Sequence, residues 1–367
     1  MKRPLRSRFA ARIAVAAAAI TTMLAASSAP ASAANVTVFA SGLNSPRGLA
    51  FGKDGALYVA EGGTGGSQST VGACPQVPAP VGPYTGGLTA RISRISPDGA
   101  RTTVAEGLPS SQNSPAAGSF VSGVSDVAFV HGRLEALLSG AGCSHGLPGT
   151  SNAVIRVRRD GSTTQVADLS AFLAANPIAY PDPSDFEPDG TWTSMVAIGH
   201  DLYALEPNHQ ELDRIARNGR ITRVVDFSQT FPGNTDWRGP TAIARYRDSL
   251  YVGTLTPFPI QVGAAQVFKV DPDTGQFRVF ADGLTTVLGL AFGQDGALYV
   301  LETSVGPGFP APMRGQIVRI KGSHRTTIAT GLDLPTALTV GPDGNLYVSA
   351  NGFGAPPGVG EVLKITP

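Results

Sequence analysis

The sequence predicts an all-β protein, a six-bladed β-propeller with four antiparallel strands per blade, and three observations carry that prediction. A strand-turn-strand unit recurs six times, its spacing settles to a fixed period, and the composition of 45 Gly, 29 Pro and 15% charged residues suits many short strands joined by turns. The clearest copy is VLGLAFGQDGALYVLET at residues 287–303, where two apolar runs flank Asp295-Gly296. Asp-Gly supplies the positive φ of a tight hairpin at little steric cost, and the flanking Leu, Val, Phe and Tyr favour strands.

The chain begins with a segment of another kind. Lys2, Arg3, Arg6, Arg8 and Arg12 precede an Ala/Ile/Val/Leu run, and Ala31-Ser32-Ala33 has the small-x-small form of a cleavage site. Residues 1–33 are therefore expected to be a secretory signal peptide and residues 34–367 a single secreted domain. The apolar run is shorter than the ~20 residues needed to span a bilayer, so no membrane span is expected. Loss of five basic residues takes the formal net charge from +1 to −4. No basic stripe remains to suit nucleic acid.

Copies of the unit begin at Ser45 (SPRGLAFGKDGALYVAE), Val124, Thr193, Gly239, residue 287 and Leu334. The Leu that opens each second run, at Leu57, Leu134, Leu202, Leu250, Leu298 and Leu346, is spaced by 77, 68, 48, 48 and 48 residues. A period of this size with a hairpin core marks propeller blades, and the two longer gaps mark insertions. A second hairpin follows each copy, as in QVFKVDPDTGQFRVFADGL from Gln266, except the last, which stops at GEVLKITP. The missing strand is found at the other end of the chain, where TVFASGL from Thr37 matches RVFADGL at Arg278. The N-terminal strand is therefore expected to close the last blade, leaving only short protected edges.

Within a blade the connections alternate between the two faces of the disc. The Asp-Gly and Asn-Gly turns fall on one face; the long segments 62–89, 109–124, 171–193, 230–240, 254–264, 304–314 and 351–358 fall on the other. Elaboration confined to one face of a rigid scaffold marks a binding or catalytic surface. Cys74 and Cys143, the only cysteines, lie in equivalent loops of adjacent blades and are expected to pair in an oxidising compartment.

Four residues after each ruler Leu stand Glu61, Leu138, Glu206, Thr254, Glu302 and Ala350. Even spacing puts each on the face of its ruler Leu, near the long-loop end. Glu61, Glu206 and Glu302 thus read as a ring of carboxylates about the channel, able to bind a divalent cation such as Ca²⁺ or to act as general acid or base. The alternative is that they cap loop amides or meet channel water. Asn208, His209 and Asn351 could join a polar cluster there. Trp192 and Trp237, with Tyr180, Phe186 and Phe231, read as a stacking platform or as small loop cores. LTPFPIQV at residues 255–262, with Phe258, reads as a pocket lining or as packing over its own blade.

The stretch PTAIARYRDSLYVGTLTPFPIQVGAAQVFKVDPDTGQFRVFADGL from Pro240, with SPRGLAFGKDGALYVAEGG, LYALEPNHQELDRIARNG and GPDGNLYVSANG, resembles the ScyD/ScyE family of secreted six-bladed propellers. The resemblance implies fold and export and supplies no catalytic motif. The hairpins are also similar to NHL repeats and to gluconolactonase-like propellers, whose central divalent cation is held by Glu, Asn and Asp; the series Glu, Leu, Glu, Thr, Glu, Ala departs from that set. Two functions follow as expectations. The first is a monomeric extracellular binding protein that takes a small molecule, glycan or protein on its long-loop face. The second is a metal-assisted hydrolase or lyase at the channel.

Overall fold

Six antiparallel sheets, five of four strands and one with a short fifth strand, follow one another around a central axis in a computed structural model that describes residues 34–181, 187–230, 239–306, 308–354 and 356–367. The leader, Phe186, Phe231 and Trp237 lie outside the described residues. In each blade the first strand of a repeat is innermost: Pro46–Phe51, Val124–Val130, Ser194–Ile198, Gly239–Tyr246, Val287–Phe292 and Ala337–Val340. The sixth blade takes its outer strand from the start of the chain. Asn35–Leu43 runs antiparallel to Gly360–Thr366, with Val36 opposite Ile365 and Val38 opposite Leu363. The six blades and the closure are those the repeats predict.

Each blade packs both faces against its neighbours, and strand alternation divides the side chains between them. Leu57 and Val59 join Leu43, Tyr347 and Val362 in the core between blades six and one. Ala60, on the other face of that strand, joins Ile92, Val127, Leu134 and Ile155 between blades one and two. Every interface between neighbouring blades has a core of this kind. The hairpin turns behave as their sequences require: Gly296 sits at φ +75°, and Asp295 accepts a hydrogen bond from the Ala297 amide at 3.1 Å.

Blade one differs from expectation. Its outer hairpin, Thr85–Ile95 with Arg101–Gln112, runs into both segments read as loops, and Val121–Ser122 adds a two-residue fifth strand. Two glycines permit the extension by letting other backbone come close. A Cβ on Gly86 would lie 2.4 Å from the His145 carbonyl oxygen, and one on Gly87 2.9 Å from that of Gly65. Cys74 and Cys143 form a disulfide with their Cα atoms 6.3 Å apart, joining the loops of blades one and two.

Candidate functional site

The channel is bounded by the edges of the six innermost strands, because the faces of every sheet are taken up by neighbouring blades. It holds a cavity of about 630 Å³. Strand pairing fixes the equivalent positions around it. Leu49 faces Val59 across its hairpin, Val127 faces Ala136, Met195 faces Ala204, Ile243 faces Val252, Leu290 faces Val300 and Leu338 faces Val348. Two residues earlier in each blade come Arg47, Ser125, Thr193, Thr241, Leu288 and Thr336, and all six line the cavity. Five of the six are hydroxyl-bearing or aliphatic. Blade one alone places a charge there.

Arg47 is held from several sides. Blade six fixes its backbone, the Ser349 hydroxyl donating to the Arg47 carbonyl at 2.6 Å and the Thr336 hydroxyl to the Pro46 carbonyl at 2.7 Å. Its Nη2 donates to the Val121 carbonyl at 2.5 Å, and its guanidinium lies over the Phe353 ring, 5.0 Å from the centroid. The side chain keeps partial exposure, yet it is enclosed deeply enough that burial lowers its pKa to about 10.

Phe353 belongs to a row of rings. Phe258 lies 5.8 Å from Phe309, Phe309 lies 5.4 Å from Phe353, and Phe353 lies 5.8 Å from Phe120. These centroid distances are those of aromatic contact. The four rings come from loops of four blades and all border the cavity.

Among the described residues Asp126 is the one carboxylate in the lining. It stands where the other blades carry Gly, Ser or Ala, and it presses so closely on Gly48 that a Cβ there would lie 1.8 Å from its Oδ1. Its Oδ2 accepts from the Met195 amide at 2.7 Å and the Ser194 hydroxyl at 3.2 Å, latching blade two to blade three. Burial raises its pKa to about 7 against the lowering effect of these hydrogen bonds.

The structure does not bring Glu61, Glu206 and Glu302 together. Each follows its ruler Leu into the interface with the preceding blade, where it receives the loop entering its own blade. Glu61 accepts from the Asn44 amide at 2.6 Å, Arg91 Nε at 2.8 Å and Ser93 Oγ at 2.5 Å. Glu206 accepts from the Thr191 amide at 2.7 Å and pairs with His209 Nδ1 at 3.2 Å; Glu302 accepts from the Thr285 amide at 2.7 Å and Gln316 Nε2 at 2.6 Å. Among the described residues no three His, Cys, Asp or Glu side chains are grouped to hold a metal ion. The charged groups of the described lining, one latched carboxylate and two guanidiniums, do not fit a divalent cation.

Of the other predicted residues, Trp192, Asn208 and Phe258 border the cavity. The LTPFPIQV segment divides its roles, Leu255 and Ile260 packing inward while Phe258 is 63% exposed. Trp192 is fully buried in the core between blades two and three and reaches the lining from behind, as part of that core. Asn351 lies outside the lining, in a turn at φ +55°, where its side chain reaches the Val359 carbonyl. Arg47, Asp126, Phe120, Phe309 and Phe353 are not singled out by a ruler placed on the second strand. Aligning the first strands would have shown Arg47 among Ser and Thr, and Asp126 among Gly and Ala.

No family profile and no curated protein matches this chain. Solved structures do share its fold. A gluconolactonase from Xanthomonas campestris superposes with TM-score 0.55 at 11% identity, covering 91% of this chain and 90% of that one. A glucose dehydrogenase gives 0.53 at 13% identity over 91% and 99%. The PQQ-bound aldose sugar dehydrogenase of Streptomyces coelicolor gives 0.52 at 14% identity over 92% and 100%. At such identities the likeness is one of fold, and propellers host unrelated functions.

Proposed function

We propose that this protein, exported and ScyD/ScyE-like, is a binding protein that captures a small molecule with a flat, apolar body in its central cavity, admitted from the long-loop face. The observation that carries this reading is the row Phe258, Phe309, Phe353 and Phe120 at the border of the cavity. Exposed aromatic rings cost free energy in water, and four loops contribute one each to the same place. The cavity's size falls within the ~300–1,000 Å³ of small-molecule sites, and its lining mixes apolar strand residues with a few hydroxyls. Stacking on rings held by a rigid scaffold favours planar ligands.

Calorimetric titration with naphthalene-2-carboxamide tests the reading. Binding should weaken by roughly two- to tenfold in each of Phe258→Ala and Phe309→Ala, the contribution of one aromatic contact. Unchanged affinity in both variants, or no binding by the native protein at millimolar probe, would remove the cavity as the site.

A further inference from the structure

We infer that the cavity selects anions: its ligand bears a carboxylate, received by the Arg47 guanidinium beside the aromatic row. This rests on the reading of the cavity as a small-molecule site and adds the charge of the molecule it takes.

Arg47 differs from most arginines with defined partners; Arg245, which donates to the Arg247 carbonyl at 3.0 Å, and Arg247, which lies over the Tyr246 ring, also meet no carboxylate, but both are exposed. Arg91, Arg94, Arg156, Arg214, Arg223, Arg319 and Arg325 each meet a carboxylate of the chain. Among the described residues no carboxylate lies within ion-pair distance of Arg47, although it is one of the most deeply enclosed cations. An enclosed cation without a counter-charge is costly, and the cost is relieved when an anion arrives. The protein does not spend this group on packing alone. One N–H is used on Val121, the planar face is covered by Phe353, and the residue lines the cavity with partial exposure.

The rest of the lining agrees in sign. Among the described residues its charged members are Arg47, Arg245 and Asp126. The Asp126 oxygens are turned to amides at Met195 and Val127 and to the Ser194 hydroxyl. Burial raises the Asp126 carboxyl to about 7, and among the described lining residues two guanidiniums stand against this one acid. A guanidinium held flat against a ring presents its edge to a carboxylate in the geometry of a bidentate pair, which an ammonium cannot copy. The hydroxyls at Thr336 and Ser349 hold the Arg47 backbone in place before a ligand binds, so less ordering cost falls on association.

The test compares 2-naphthoate with naphthalene-2-carboxamide, which share a ring system and differ in charge. The native protein should bind the acid tighter than the amide by roughly 10- to 100-fold, the range of charge-assisted hydrogen bonds, and only the acid should weaken as salt is raised. Arg47→Gln should erase the preference by weakening the acid far more than the amide; Arg47→Lys should retain part of it. Phe353→Ala should weaken both ligands together. Equal binding of acid and amide by the native protein would overturn the anion assignment while leaving the cavity reading intact. Failure of both to bind would remove the two together. A preference that survives in Arg47→Gln would move it to another residue and overturn this one. The comparison on native protein and its salt dependence decide the matter even if a variant misfolds.

Discussion

The carboxylate of Glu61 is fully buried, and its oxygens meet a loop amide, a hydroxyl and the guanidinium of Arg91, with Arg101 Nη1 at 3.8 Å. Glu61→Gln keeps the shape, removes the charge and leaves two arginines facing a neutral group. Because both arginines retain some water, the expected loss is about 2 kcal/mol, below the full cost of breaking a buried ion pair. Urea unfolding would register it as a lowered midpoint with unchanged slope. An unchanged midpoint accompanied by lost naphthoate binding would return Glu61 to the ligand site. The spacing that singles out Glu61, Glu206 and Glu302 reports their shared strand face correctly, and what it cannot report is what that face meets. In a propeller both faces of a sheet meet other blades, and only the edge of the innermost strand meets the channel. Parity therefore leads to a blade interface, whereas Arg47 and Asp126 are visible only when first strands are compared at a common register.

Loops and strands divide the same way in how much the chain reveals of them. The hairpins are legible because each carries its own turn chemistry and alternation, and the closing strand because TVFASGL repeats a pattern found elsewhere. The extension of blade one is not legible, since it depends on Gly86 and Gly87 meeting backbone distant in sequence. The disulfide sits on that irregular region. It spans 69 residues and includes the outer hairpin of blade one and the inner hairpin of blade two, so the unfolded chain is substantially restricted by it. Cys74→Ser with Cys143→Ser should lower stability by about 4 kcal/mol on the chain-entropy estimate for a loop of this length. Reduction of the native protein should lower the unfolding midpoint to match. A double variant as stable as the native protein would mean that the loop contacts alone hold blades one and two together.

At the scale of the whole ring, the buried titratable groups give stability a direction in pH. Burial raises Asp126 to about 7. Burial, then repulsion from Asp213, raises Glu211, and burial raises Asp213 as well. For each of these the folded state binds a proton that the unfolded chain has released above pH ~4, so the contribution is complete at low pH and is lost as pH climbs through the folded value. His145 acts in the opposite sense. Buried against Ser111, Gly190 and Glu187, its pKa is pushed down to about 4, so its contribution is complete above the ordinary histidine value and is lost as pH falls. Glu135, raised by burial as well, makes four such groups against one, and stability declines as pH rises from mildly acid to neutral. Asp295, lowered to about 2, titrates below this window. Urea midpoints should therefore be higher near pH ~5 than near pH ~8. Asp126→Asn should flatten the profile by up to about 1.4 kcal/mol per pH unit between the unfolded and folded values of that one group. The slope is the readout, because the substitution also disturbs the latch to Met195 and lowers stability at every pH. A midpoint that rises steadily across this range would show that the buried carboxylates are ionised and paired in the folded state, and Asp126 would then carry a full negative charge beside the Arg47 site.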